Sequence, residues 1–288
     1  MSKKYHFLII DGYSAESRDE LEQAGMSLAW KLFVDMLLSQ LKEATYDILL
    51  PSDDGVQMPG EDDLTQYSGI LWTGCNLSIT ELSNPSVRNQ IALAQSAYAV
   101  GIPSFGSCWG LQVAAVAAGG KVEPNPNGRE MGLARKIYQT TCVSTHPMFK
   151  GRDKVFDAFT SHDDIVTQMP EGGIVLAGNL FSPIQAAEIK YEKGVFWAVQ
   201  YHPEYTLHEM ARLIIAREQK LIEKGFFKNA DHLSKYVDAL EELSSHPERS
   251  DLRWQLAVDD DILDKTKRCT EFINWLERLV LPQVAQKG

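Results

Sequence analysis

Gly101-Ile-Pro-Ser-Phe-Gly-Ser-Cys108-Trp-Gly-Leu-Gln112 reads as a short buried strand, a tight turn, and the start of a helix continuing through Val113 to Ala118. Cys108 falls where strand becomes helix, bracketed by Gly106 and Gly110. Glycines at those two places let the backbone turn sharply and let the neighbouring chain come close. The arrangement describes a nucleophile elbow with a thiol in place of serine. The N–H groups of the first helical turn and the positive end of the helix dipole favour the thiolate, the reactive form. A lone cysteine in an apolar strand–helix unit is ordinarily a small buried residue, so this stretch alone does not establish catalysis.

Further along the chain stands Gly194-Val-Phe-Trp-Ala-Val-Gln-Tyr-His202-Pro-Glu204, an apolar strand ending in a histidine with a carboxylate two residues on. In extended chain, positions i and i+2 point to the same side. His202 and Glu204 can therefore approach the thiol together as base and orienting acid. Separately, His202 reads as a strand-end histidine and Glu204 as the first acid of the next helix. Alongside the elbow, the plain readings lose ground.

The two motifs, Gly-Ser-Cys-Trp-Gly-Leu-Gln and then Gln-Tyr-His-Pro-Glu, resemble the class I glutamine amidotransferases, the triad-type family that includes the amidotransferase domain of GMP synthetase. The resemblance covers roughly residues 5 to 206 and thins toward both ends. It implies Cys108 as nucleophile, His202 as base and Glu204 as its orienting acid. It also implies an oxyanion hole after the third strand. In the family that place holds a Gly-Gly-Pro-x-Ser type loop. Here Gly74-Cys75-Asn76-Leu77-Ser78 keeps only Gly74 and Ser78, so the donors are assigned to the backbone N–H groups of Cys75 and Trp109. Gln112, one helical turn after Cys108, matches the family's pocket glutamine. Ser161-His162-Asp163-Asp164 resembles the Ser-His-Gly-Asp segment that binds the glutamyl moiety, with Asp163 where glycine is usual. Gly74, Gln112, Ser161 and His162 are thus the expected substrate-binding residues. Taken without the resemblance, the last segment is an ordinary Asp-rich turn.

With 288 residues, 44% hydrophobic and 23% charged, the chain suits one large domain, or one domain with a substantial extension. The formal net charge of −11 argues against a general nucleic-acid binder and fits a protein that handles small molecules. Cys75, Cys108, Cys142 and Cys269 form no CxxC pair, which leaves zinc and thioredoxin-like chemistry without support. No metal or organic cofactor is expected. The apolar run after Lys3-Lys4 is too short for a signal-peptide core, and no stretch approaches a membrane span. These features together read as cytoplasmic.

The expected fold is α/β, a mostly parallel central sheet flanked by helices, with a helical C-terminal extension. Phe7–Ile10, Tyr46–Pro51, Gly69–Thr73 and Ile102–Phe105 read as strands, followed by β segments from Lys121 to Tyr201. Residues 13–25 are polar without a clear period and read as a loop, about a dozen residues longer than the family has. Gly12 to Gly25 are expected to form part of a lid or substrate pocket, or else an ordinary surface loop. Residues 1–206 would carry catalysis. Residues 207–288, opening with a helix over 207–224, would pack on that unit or build a dimer interface.

The resemblance implies attack of Cys108 on a γ-glutamyl amide and release of glutamate through a thioester. It leaves the leaving group open. An N-substituted amide would make the chain a stand-alone hydrolase, with Tyr13, Trp30 and Trp109 shaping room for the amine. Ammonia would make it the glutaminase subunit of an amidotransferase with a separate synthetase. More remote are a cysteine peptidase and a non-catalytic regulatory binding module. The expected partners are a small γ-glutamyl substrate and either a synthetase or a second copy of the chain, with no nucleic acid and no membrane.

Overall fold

In the computed structural model, which describes residues 5–140 and 145–287, the short apolar runs become the strands β1 (His6–Ile10), β2 (Thr45–Leu49), β3 (Gly69–Trp72) and β4 (Ser104–Ser107). β1, β3 and β4 are buried at every position, as strands covered on both faces are. Five further strands complete the large sheet: β6 (Glu130–Gln139), β7 (Val155–His162), β9 (Gly173–Gly178), β10 (Ala186–Tyr191) and β11 (Gly194–Val199). β5 (Lys121–Pro124) and β8 (Asp164–Gln168) pair separately. The order is β2-β1-β3-β4-β11-β10-β9-β6-β7. It is parallel from β2 to β11 and antiparallel from there to β7. The parallel part therefore surrounds the carboxyl ends of β4 and β11, where the two motifs lie.

Helices cover both faces. α4 (Pro85–Val100) and α5 (Trp109–Ala117) pack with Leu8, Ile10, Ile70 and Trp72. On the opposite face, Phe33, Met36 and Leu37 of α2 (Ala29–Gln40) pack with Phe7, Ile9, Leu71 and Phe105. α4 is delimited by local chemistry: Asn84 caps its first turn, Pro85 opens it, and Gly101 closes it in the left-handed region at φ 83°.

Residues 13–25 are not a loop. Ala15–Gln23 form a helix, α1, started by Ser14, whose side chain accepts from Ser17 N–H. The helix buries only Ser17, Arg18 and Leu21. A face built mostly from polar side chains gives no hydrophobic period to read. The Ser161–Asp164 segment is likewise no free turn: β7 runs to His162 and β8 begins at Asp164, so the chain bends at Asp163 and passes from the large sheet to the β5–β8 pair. The helix expected over 207–224 is two, α6 (Leu207–Ala216) and α7 (Glu218–Glu223), broken at Arg217, whose φ of −117° is not helical.

The remaining helices include α8 (Ala230–Ser245), α9 (Ser250–Leu256), α10 (Asp260–Leu263), α11 (Lys265–Arg268) and α12 (Thr270–Trp275). Leu21, Leu32, Phe159 and Tyr205 share one hydrophobic cluster with Met210, Ile214, Leu240 and Leu256, so the C-terminal segment packs on α1, α2 and β7 through a common cluster. Phe272 and Trp275 of α12 pack into the α2 face of the sheet. Asn274 Nδ2 donates to the carbonyls of Met148 and Lys150, both at 2.9 Å. Cys269 Sγ donates to Pro203 O at 3.4 Å, inside the His-Pro-Glu segment. Among the described residues no helix is long and apolar enough to cross a membrane.

Two substitutions test this framework. A Cβ on Gly110 would stand 3.0 Å from both Cβ and the carbonyl oxygen of Trp72, a backbone neighbour with little freedom to move. Gly110→Ala is expected to lower stability by about 1–3 kcal/mol in denaturant titrations. Asn274→Ala strands two carbonyls under the C-terminal helices, and an unfolding-midpoint shift equivalent to about 1–3 kcal/mol is expected.

Candidate active site

Cys108 sits at φ 50°, ψ −99°, outside the regions open to most non-glycine residues. Its conformation is fixed from both sides. The N–H of Cys108 donates to Val199 O of β11 at 2.8 Å, and its carbonyl accepts from Leu111 and Gln112 N–H in α5. A Cβ on Gly106 would lie 2.8 Å from Gly110 Cα, so strand and helix cross here with no room for side chains. The thiol itself faces Ser161 O at 3.7 Å.

β11 delivers the histidine to the same edge. His202 N–H donates to Phe159 O at 2.8 Å, and the ring stacks on Tyr205 at 4.1 Å between centroids, 6° from parallel. His202 Nδ1 meets Glu204 Oε1 at 2.6 Å. Nε2 makes no hydrogen bond in this geometry, and Cys108 is the group it faces. Catalytic hydrogen bonds are often long before substrate arrives. Burial disfavours the charged ring, but the Glu204 carboxylate and the facing Cys108 outweigh burial and push His202 up to about 10. Gly74 fits between the two: a Cβ there would come 2.6 Å from His202 Cε1 and 3.4 Å from Cys108 Cβ.

The neighbouring cavity, of ≈ 260 Å³, is lined by Tyr13, Cys75, Cys108, Gln112, Ser161, His162 and Asp164, with Arg129, Asp163, Leu213, Arg217 and Lys220 among the rest. A wider groove of ≈ 890 Å³ between β7 and α9 holds none of these residues. The backbone N–H groups of Cys75 and Trp109 make no hydrogen bond among the described residues, so both remain able to donate. The Trp109 ring is buried elsewhere, its Nε1 donating to Gln90 at 2.8 Å. Trp30 packs with the α2-side cluster. Of the three aromatics expected to shape a leaving-group pocket, only Tyr13 lines the cavity.

Gln112 Nε2 donates to Asp164 O at 3.1 Å, which leaves its carbonyl oxygen free to accept. Ser161 Oγ accepts from Arg129 at 2.7 Å and keeps its own proton to donate. The two groups thus offer opposite polarities to a zwitterion. His162 does not offer its ring to the cavity: Nδ1 bonds Asp164 O at 3.0 Å and Nε2 bonds Glu130 Oε2 at 2.8 Å. Asn179 and Gln185 also donate to Glu130 at 2.8 Å, making a buried brace behind the pocket wall. Burial would raise the Glu130 carboxyl, but these donors, led by His162, hold it below its ordinary value.

Several contributors went unread in the sequence. Ser107 donates to Glu204 Oε1 at 2.9 Å, fixing the acid that fixes the base. The only signal for it was a polar residue ending a wholly buried strand. Asp163 bonds Arg129 and pairs with Lys224 at 2.6 Å and Lys220 at 3.4 Å. Burial works against its charge, yet these cations hold Asp163 down at about 2. The residue standing where glycine was expected thus ties the pocket rim to α7.

Comparison with known proteins fits this geometry. Residues 34–221 match the family model for glutamine amidotransferase class-I. A γ-glutamyl-L-1-hydroxyisopropylamide hydrolase from a Pseudomonas species is 34% identical over 99% of this chain and 96% of its own length. The GMP synthase [glutamine-hydrolyzing] of Thermosipho africanus is 32% identical over 60% of this chain, a match that spans 31% of that synthase. Among solved structures, glutamine amidotransferases from Thermotoga maritima and Methylobacillus flagellatus superpose with TM-scores of 0.65 and 0.67, each at 18% identity and over 96% of this chain. They cover 99% and 96% of those chains. The chain belongs to the class I glutamine amidotransferase family.

Proposed function

We propose that this chain hydrolyses the γ-glutamyl amide bond of an N-substituted γ-glutamyl amide, releasing glutamate and an amine. The observation that carries the reading is the match along nearly the whole of both chains to a protein named for such a reaction, whereas the synthase match spans less than a third of that protein. The Cys108–His202–Glu204 geometry supplies the chemistry.

In the proposed mechanism the Cys108 thiolate forms a bond to the γ-carbonyl carbon. The carbonyl electron pair moves onto oxygen, where the N–H groups of Cys75 and Trp109 meet it. Collapse breaks the C–N bond as His202 gives its proton to the departing nitrogen. Water then loses a proton to His202, attacks the thioester and expels Cys108, so one water is consumed for each amide cleaved. Glu204, held by Ser107, keeps the imidazole oriented and stabilises its charge. Gln112 accepts from the α-ammonium and Ser161 donates to the α-carboxylate. Residues 1–206 carry these groups, and residues 207–288 brace them and close one side of the cavity.

The match to GMP synthases favours a second reading, in which the leaving group is ammonia destined for a separate synthetase. Glutamate release from glutamine and from N-alkyl γ-glutamyl amides separates the two, with Cys108→Ala as the blank. A substituted amide is expected to exceed glutamine by at least roughly tenfold in kcat/KM, of the order that one well-matched leaving-group contact can supply. Turnover of glutamine alone, or only with a partner present, would overturn the hydrolase.

The pH dependence follows from the base. His202 must carry a proton to release the amine, and it holds that proton until pH approaches about 10. kcat/KM is therefore expected to fall as pH rises through that value. Glu204→Gln removes the opposing charge and leaves burial in place. Its alkaline limb should move down toward the ordinary histidine value of 6.5, together with a loss of kcat.

A further inference from the structure

The Tyr13 hydroxyl borders the cavity and has nothing to bind among the described residues. Tyr13 is only 7% exposed, yet it lines the cavity, and its oxygen finds no hydrogen-bond partner among the described residues. A buried phenol ordinarily has a partner, because an unmade hydrogen bond costs free energy.

The residue is held with care. Gly12 O accepts from Ser52 Oγ at 2.6 Å, and Tyr13 N–H donates to Asp11 Oδ1 at 3.0 Å. Tyr13 O accepts from Arg18 Nη1 at 2.6 Å, and Arg18 in turn grips both oxygens of Asp53 at 2.7 and 2.8 Å. Asn76, next to Cys75, donates to Ser17 of α1 at 2.9 Å and locks the segment to the oxyanion loop. Backbone this constrained presents its side chain in one place.

Tyr13 shares a hydrophobic cluster with Tyr205, whose ring stacks on His202, and with Leu213. His202 delivers the proton to the leaving nitrogen in the proposed mechanism. The glutamyl-binding candidates Gln112 and Ser161 come instead from α5 and the end of β7.

The cations that line the cavity beside Tyr13 are each paired with a carboxylate, with Arg129 Nε and Arg217 Nη2 left without a hydrogen bond. Arg217 pairs with Glu20 at 3.0 Å and Lys220 with Asp163 at 3.4 Å. Burial pushes the Tyr13 phenol well above its ordinary range, so it works as a neutral donor and acceptor. The cavity of ≈ 260 Å³ lies below the roughly 300–1,000 Å³ of sites for larger ligands, which points to a small amine.

We infer that Tyr13 is a specificity-determining residue of the leaving-group subsite, and that the preferred amine is small and carries a neutral oxygen, such as a hydroxyl, which hydrogen-bonds the Tyr13 phenol. This inference rests on the γ-glutamyl amide hydrolase reading.

The test is a ratio of kcat/KM values for two amides that differ by one oxygen, γ-glutamyl-1-hydroxypropan-2-ylamide and γ-glutamyl-isopropylamide. The unaltered protein should prefer the hydroxylated amide by roughly tenfold, the scale of one hydrogen bond between neutral groups. Tyr13→Phe keeps the ring and removes only the hydroxyl, and should bring the ratio to about one. If the ratio is unchanged in Tyr13→Phe, whether both rates hold or both fall together, the inference is overturned and the residue is structural. If the unaltered protein shows no preference, it is overturned as well. Failure of the unaltered protein to cleave either amide would instead overturn the hydrolase reading, and this inference with it.

Discussion

Everything at the site depends on how closely α5 passes over β3 and β4. Gly106 and Gly110 lie nearly in contact, and Gly110 sits against the backbone of Trp72. That approach forces the chain to turn within one residue, and the residue is Cys108 at φ 50°. The strain, of order 1–3 kcal/mol, persists because the hydrogen bonds to β11 and α5 fix the turn from both sides. Its result is a thiol held clear of strand and helix alike, with unused backbone donors beside it. The parallel pairing of β4 with β11 sets Val199 opposite Ser107 and so brings His202 to the same edge. One steric constraint thus brings together Cys108, His202 and the free N–H groups of Cys75 and Trp109, the groups proposed as nucleophile, base and oxyanion donors.

What the sequence made legible is what local chemistry decides. The elbow glycines, the buried strand runs and the Asn84-Pro85 to Gly101 helix each announce themselves within a dozen residues. The unread features depend on partners far apart in the chain. α1 has one buried leucine and is held by polar bonds to residues 52–76, so no periodicity marks it. Asp163 stands where glycine is usual, and its partners Arg129, Lys220 and Lys224 are invisible in the local motif. His162 matched a binding motif by sequence, yet both its ring nitrogens are spent on internal bonds.

The C-terminal helices act on the same catalytic turn from behind. Cys269 bonds Pro203 O, between His202 and Glu204. Arg152 reaches Glu271 at 3.4 Å with both side chains buried, in the same region as Tyr201. Burial outweighs the Arg152 charge and keeps the Glu271 carboxyl above its ordinary value, so this pair is a costly one to bury. Such a pair is weak evidence for stability, but it has one geometry. It holds α12 against the segment that leads into β7.

The division of labour across the cavity follows from charge. Asp163 gathers three cations and Glu20 takes Arg217, so each cation of the rim has a carboxylate beside it while positive charge remains in excess. Such a rim disfavours a leaving group that carries its own positive charge. Discrimination between amines then falls to shape and to hydrogen bonds that a buried group can make only with the right ligand. Gln112 and Ser161 are occupied with one bond each and offer the remaining valence. Tyr13 alone arrives with its polar atom wholly unspent. The groups proposed to make and break bonds come from the sheet edge, and the group proposed to choose the amine comes from the segment after β1.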